Sequence, residues 1–162
     1  MIFKKHHLNE QHMRLAIKEA RKNLKDFAGG PFGACIVKDG VVIAVARNTV
    51  LKSEAAAHAE INAIRRASRK LKTFDLAGCV IYSTTEPCPM CFGAIHWARI
   101  EAIVYGTDIA DAAKLGFREL AITNQALKKA GKSTVKNFPS YMRDECLELF
   151  EKWGKLAMKL LY

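Results

Sequence analysis

The sequence predicts an α/β fold, with residues 1–162 forming one domain built as a three-layer α/β/α arrangement around a mixed five-stranded sheet. Three observations carry that expectation. After an opening helix the hydrophobic pattern reads β-β-α-β-α-β-β-α. A hairpin signal, Lys38-Asp39-Gly40, joins the first two strands as an antiparallel pair, while the later strands alternate with helices. The chain of 162 residues is 50% hydrophobic and has no linker, internal repeat or low-complexity segment, which is enough apolar material for one core.

From the amino end, Asn9 can cap a helix to about residue 26, in which Met13, Ala16, Ile17, Ala20 and Leu24 return at helical spacing. His6, His7 and His12 are expected to be exposed, since no cysteine or acid stands at ligand spacing to them. Gly29-Gly30-Pro31 ends the helix, and residues 32–37 and 41–47 are the hairpin strands. Asn48 closes the second strand, either as an ordinary turn residue or as an amide able to read the edge of a base. Phe32 is equally a core aromatic or a stacking surface for a flat ligand. His58 opens a helix that turns Ile61, Ala63, Ile64 and Ala67 inward and Arg65, Arg66, Arg69 and Lys70 to water. Residues 79–83 form the third strand, 89–99 a helix and 100–105 the fourth strand. A helical turn or two within 108–116, a fifth strand at 135–138 and an amphipathic helix over 141–162 complete the chain.

Chemistry concentrates at residues 84–91, Thr-Thr-Glu-Pro-Cys-Pro-Met-Cys. A Cys-x-x-Cys pair alone fits a redox couple, half of a structural zinc site or plain packing. His58-Ala59-Glu60 changes the reading, because three ligands, His58, Cys88 and Cys91, leave a zinc ion with an open position for water. Glu60, two residues after the histidine, is then the proton carrier and the catalytic residue. This His-x-Glu and Pro-Cys-x-x-Cys combination is the signature of zinc nucleobase deaminases.

The net charge of +10, from 26 Lys+Arg against 16 Asp+Glu, admits RNA as a partner. Its basic residues are scattered and not interleaved with aromatics, so a solvated basic surface is the better expectation. No apolar run reaches membrane-spanning length, and residues 1–10 lack the apolar core of a signal peptide, so a cytoplasmic protein without a membrane partner is expected. Cys35, Cys79 and Cys146 are then buried, reduced thiols.

Residues 29 to about 118 resemble the cytidine and deoxycytidylate deaminase superfamily, and within it bacterial guanine deaminases. The likeness rests on Gly-Gly-Pro-Phe-Gly-Ala at 29–34, Asn48, Ala-His-Ala-Glu at 57–60, Glu-Pro-Cys-Pro-Met-Cys at 86–91, Gly-Ala-Ile-His-Trp-Ala-Arg at 93–99 and Asp-Ala-Ala-Lys-Leu-Gly-Phe at 111–117. Transfer-RNA adenosine deaminases share the first motifs but typically continue into a Gly-Ala-Ala-Gly-Ser-like segment, which this chain lacks. The resemblance implies a cytidine-deaminase-like fold, one Zn²⁺ per chain, a homodimer, and hydrolysis of guanine to xanthine and ammonia. The alternatives are transfer-RNA adenosine-to-inosine deamination, or guanosine, adenine or cytosine as substrate. It also implies an acid just after Gly116-Phe117, a place taken here by Glu119 while Arg118 departs from the pattern. In the guanine enzymes a carboxyl-terminal segment closes over an active site, its own or a partner's, with an aromatic residue against the base. Tyr162, at the end of an apolar run with Trp153, Leu156, Leu160 and Leu161, stands where that residue would be, the equal alternative being that residues 153–161 only finish the packing of the last helix and Tyr162 is disordered.

Overall fold

A computed structural model describes residue 4, residues 7–157 and residues 159–162. Five strands form one mixed sheet in the order β2-β1-β3-β4-β5: β1 (Gly33–Lys38), β2 (Val41–Arg47), β3 (Cys79–Thr85), β4 (Ala102–Thr107) and β5 (Lys136–Phe138). β1 pairs antiparallel with both β2 and β3, and β3, β4 and β5 run parallel. Period-two alternation splits the strands into two faces. Ala34, Ile36, Ile81, Ile103 and Tyr105 point to one side, where α3 (Ala59–Leu71) and α4 (Pro89–Trp97) cover them. Cys35, Val37, Val80, Tyr82 and Val104 point to the other, beneath α1 (Glu10–Ala20) and α7 (Arg143–Gly154). That is the expected three-layer arrangement.

Asn9 caps α1 by accepting the Gln11 N–H, but the helix stops at Ala20 and a separate turn, α2 (Asn23–Asp26), follows. Asn23 makes the break. Fully buried, its Nδ2 donates to the carbonyls of Gly30 (2.7 Å) and Asn48 (2.9 Å), contacts a continuous helix would not place there. His12 is buried rather than exposed, edge-on to Tyr82 at 5.2 Å between ring centroids, and burial lowers its pKa. His7 accepts the Lys4 N–H, and His6 lies outside the described residues. On α3 the buried face is Ala59, Glu60, Ala63 and Ala67, while Ile61 and Ile64 are only half-buried. A row of small side chains lets the helix lie close to the sheet and turns Glu60 inward.

Past β4 come α5 (Ile109–Lys114) and α6 (Asn124–Ala130), the latter not expected from the sequence. The last helix also differs, since α7 ends at Gly154 and residues 159–162 are not helical. The tail runs back across Leu115 to Arg118 instead. Arg118 N–H donates to the Tyr162 carbonyl, and Gly116, at φ +100, leaves room for Leu161, whose Cδ1 would sit 2.8 Å from a Cβ added there. Cys35, Cys79 and Cys146 are buried free thiols. Among the described residues no helix is long and apolar enough to cross a membrane.

Candidate active site

The site lies where the carboxyl ends of β3 and β4 meet the amino ends of α3 and α4, the usual place for a ligand in an open α/β sheet. Asn62 in α3 shapes the approach, its Nδ2 donating to the carbonyls of Arg47 (2.9 Å) and Ala57 (3.1 Å) and to Thr49 Oγ1 (3.0 Å). That gathers the loop before the helix and leaves His58 as its N-cap. Cys88 is the N-cap of α4, with Pro89 at the first helical position, where a missing N–H is harmless. Cys91 follows one turn on, fully buried.

His58, Cys88 and Cys91 present ligand atoms that all lie within 4.8 Å of one another. A tetrahedral zinc with bonds of about 2.3 Å to sulfur and about 2.0 Å to nitrogen would hold those atoms about 3.5 Å apart. Cys88 Sγ and His58 Nδ1 are 3.6 Å apart, so the donor set fits the ion in both chemistry and spacing. No fourth His, Cys, Asp or Glu joins the group among the described residues, which matches a site that keeps one position for water.

The electrostatics are those of a compact ionisable cluster. Cys88 is lowered to about 4, by the Cys91 thiol first, with burial opposing and the His58 ring and the Cys91 N–H assisting. Its neighbour Cys91 moves upward through its hydrogen bond to Cys88 and through burial. Burial lowers His58, but its hydrogen bond with Cys88 and the negative potential of Glu60 and Cys88 outweigh that and raise it. Glu60 is buried and raised, with burial as the chief cause. Its Oε1 accepts the Ser83 hydroxyl at 2.6 Å, and its Oε2 accepts the Cys91 thiol at 3.4 Å.

Beside this cluster is a cavity of about 250 Å³. It brings together Phe32, Asn48, His58, Glu60, Cys88, Glu119 and Tyr162, while Cys91 does not reach its surface. Asn48 is buried, with Oδ1 accepting the Val50 N–H at 3.1 Å. Gly29 is required beside it, because an added Cβ would collide with the Asn48 side chain. Tyr162 lines the cavity next to Asn48, its hydroxyl accepting the Gly30 N–H at 2.7 Å and hydrogen-bonded to the Asn48 side chain. Its ring stands edge-on to Phe117 at 5.5 Å, and Phe117 to Phe32 at 4.9 Å. Glu119 is raised by burial and by the negative potential of Cys88, against the pull of His58.

Sequence reasoning left out several residues around this site. Ser83 fixes Glu60, yet nothing in a strand of alternating residues marks it until α3 is seen opposite β3. Phe117 and Arg118 line the cavity next to the expected Glu119, as do Ala55, Met90 and Leu120.

Residues 6–107 match the model of the cytidine and deoxycytidylate deaminase zinc-binding region. The guanine deaminase of Bacillus subtilis (strain 168) is 40% identical over 155 residues, covering 95% of this chain and 99% of that one. A transfer-RNA-specific adenosine deaminase of the same organism is 41% identical over 99 residues, 60% of this chain and 61% of that one. The solved guanine deaminase from Nitrosomonas europaea superposes with a TM-score of 0.83 at 27% identity, over 96% of this chain and 88% of that one. Three residues able to hold a metal ion, a buried acid beside them and a match over most of the chain lead to one conclusion: the chain belongs to the cytidine and deoxycytidylate deaminase family and is a zinc-dependent hydrolytic deaminase.

Proposed function

We propose that the chain hydrolyses a free purine base, guanine, to xanthine and ammonia, with residues 1–162 acting as one deaminase domain. The observation that carries this reading is a small cavity lined by Asn48 and Glu119, two groups able to bond a base edge, together with Glu60, His58 and Cys88. At about 250 Å³ it lies below the usual range for drug-sized ligands and suits a bare base better than a nucleoside. The 155-residue match to a guanine deaminase supports it too, because a match of that span takes in Phe117 to Glu119.

His58, Cys88 and Cys91 hold the metal in this reading. When bound, zinc supplies the Lewis acidity that makes water reactive at neutral pH. Glu60 takes the water proton and returns it to the ring nitrogen beside the amino-bearing carbon, then takes the proton of the newly bonded hydroxyl and passes it to the amine, which leaves as ammonia, so one carboxylate serves as base and acid in turn. Ser83 holds Glu60 Oε1, which leaves the carboxylate little freedom to turn away. Asn48 offers its amide to one edge of the ring and Glu119 accepts from N–H groups on another. Phe32 and Tyr162 flank the ring and exclude water.

The charge of +10 and the 99-residue match favour a second reading, adenosine deamination in transfer RNA. A nucleotide within a strand needs an open groove on both sides of the flipped base, whereas Tyr162 covers one wall here. Zinc-loaded protein incubated with guanine, guanosine, adenine, cytosine and an anticodon stem separates the readings by ammonia release. Xanthine from guanine is expected, and inosine in RNA without xanthine would reverse the assignment.

The tail supplies a further test. Removing Leu161 and Tyr162 is expected to lower kcat/KM for guanine roughly tenfold, about 1.4 kcal/mol of transition-state stabilisation, with little change in Tm. Tyr162 lines the cavity, Leu161 packs at Gly116, and neither belongs to either core cluster. Unchanged kinetics in the shortened protein would end the lid assignment.

The reading includes a homodimer acting in the cytoplasm, in purine metabolism. Trp97, 80% exposed, and Met90 lie seven residues apart, hence on one face of α4, and Phe74 is 70% exposed beyond them. Large exposed aromatics of this kind favour association. A monomeric mass by light scattering at micromolar concentration would contradict the dimer. Three buried reduced thiols suit the cytoplasm.

A further inference from the structure

Glu86 is a buried carboxylate that the chemistry above does not use. It stands two residues before Cys88, and its backbone N–H is already committed to the Thr107 carbonyl at 2.7 Å, which fixes it at the end of the sheet. Glu86 lines the same cavity as His58 and Cys88, and its carboxylate is held by chain that follows β4. Oε1 accepts the Asn124 N–H at 2.7 Å, Oε2 accepts the Ile109 N–H at 3.3 Å, and the Tyr105 hydroxyl hydrogen-bonds the same group. Asn124 answers from the other side, its Nδ2 donating to the Pro87 carbonyl at 2.5 Å. Ile109 begins α5 and Asn124 begins α6, so one carboxylate clasps the helices on either side of residues 115–123.

That intervening segment has no regular structure, and it carries the Phe117, Arg118, Glu119 and Leu120 wall of the cavity. A wall without its own hydrogen-bonded ladder keeps its place only through its ends and its contacts. Its first half also receives Tyr162, through the Arg118 N–H and the Phe117 ring. We infer that Glu86 is a positioning residue, which holds the Phe117 to Glu119 wall in register with the Cys88 turn so that a base bound against Glu119 lies correctly beside the metal ligands. The inference rests on the reading of the cavity as the substrate site. Carboxylate bonds to backbone N–H groups are charge-assisted, about twice as strong as neutral ones, and here each of the two oxygens takes one N–H, where glutamine has a single acceptor oxygen. An amide at this position would turn an NH₂ group against one of two N–H donors and free one end of the segment.

Glu86→Gln tests it with two readouts, one of which needs no substrate. Amide exchange across 109–124 is expected to quicken at least about tenfold, while β3 and β4 exchange as before. KM for guanine is expected to rise about tenfold or more, with kcat within about threefold and zinc still near one per chain, the pattern of lost ground-state positioning. Asn124→Ala cuts the Pro87 tie and leaves the carboxylate in place, and it is expected to move both readouts in the same direction by less. If the wild-type protein leaves guanine untouched, the guanine assignment fails but local exchange still decides for or against the clasp. Unchanged exchange in 109–124 overturns the inference. Zinc loss, or faster exchange spread evenly over β3 and β4 in both variants, would assign these residues to folding and overturn it as well.

Discussion

Glu60→Gln is expected to lower kcat for guanine by about 10³-fold, within the range that a positioned general acid–base contributes, while zinc stays near one per chain. Glutamine keeps the length of the side chain and one oxygen. That oxygen can still accept the Ser83 hydroxyl, now at 2.6 Å from Oε1, so the position remains packed. What it loses is the ability to take a proton from water and give it back to the ring. Glu60 stands outside the three-residue ligand group, touching it only through the 3.4 Å contact of Oε2 with the Cys91 thiol, so the metal has no reason to leave. Ammonia release and metal analysis on the same sample check the claim. Coupled loss of zinc and turnover would make Glu60 a ligand, and retained turnover would move the proton transfer elsewhere.

The chemistry of this site was legible because its residues are close in sequence or carry helix-start signals. His58 and Glu60 are two apart at one helix start, Cys88 and Cys91 three apart at another, and the hydrophobic order of β3-α4-β4 brings both helix starts to one end of the sheet. Residues whose placement depends on distant chain were not legible. Asn23 breaks the first helix only because Gly30 and Asn48 carbonyls need its amide, a demand that local periodicity does not carry. The apolar run after Trp153 reads as a helix face, yet the contacts of Leu161 at Gly116 and of Tyr162 at Gly30 draw the tail across the cavity instead. α6 had a visible start, since the Thr123 hydroxyl accepts the Ala126 N–H, but its short polar sequence shows no apolar stripe. In Glu86 the sequence offered a motif letter without a task, because its partners at 109 and 124 come from two later helices.

Cys91→Ala gives the largest expected effect, because in the proposed reading it removes the buried one of the three zinc ligands. Zinc content is expected to fall far below one per chain and turnover to drop by about 10⁴-fold or more, since water of pKa near 15.7 replaces water brought towards about 7. Stability falls as well. A ligand at about 1,000 times its Kd stabilises the folded state by about 4.1 kcal/mol, and a protein that no longer holds the metal forgoes that linkage. The lost sulfur alone does not explain a change of that size, since a typical point substitution costs about 1 kcal/mol and Cys→Ala removes a single heavy atom. Cys79→Ala is the matching control, as Cys79 is equally buried but begins β3, at the opposite end of the strand from the Glu86-Pro87-Cys88 turn. It is expected to cost only that smaller amount and to keep both zinc and turnover. Metal analysis, thermal unfolding with and without a chelator, and ammonia release on the two variants make the comparison. Chelator sensitivity in the wild type and in Cys79→Ala, absent from Cys91→Ala, is the expected pattern; retained zinc in Cys91→Ala would remove Cys91 from the ligand set.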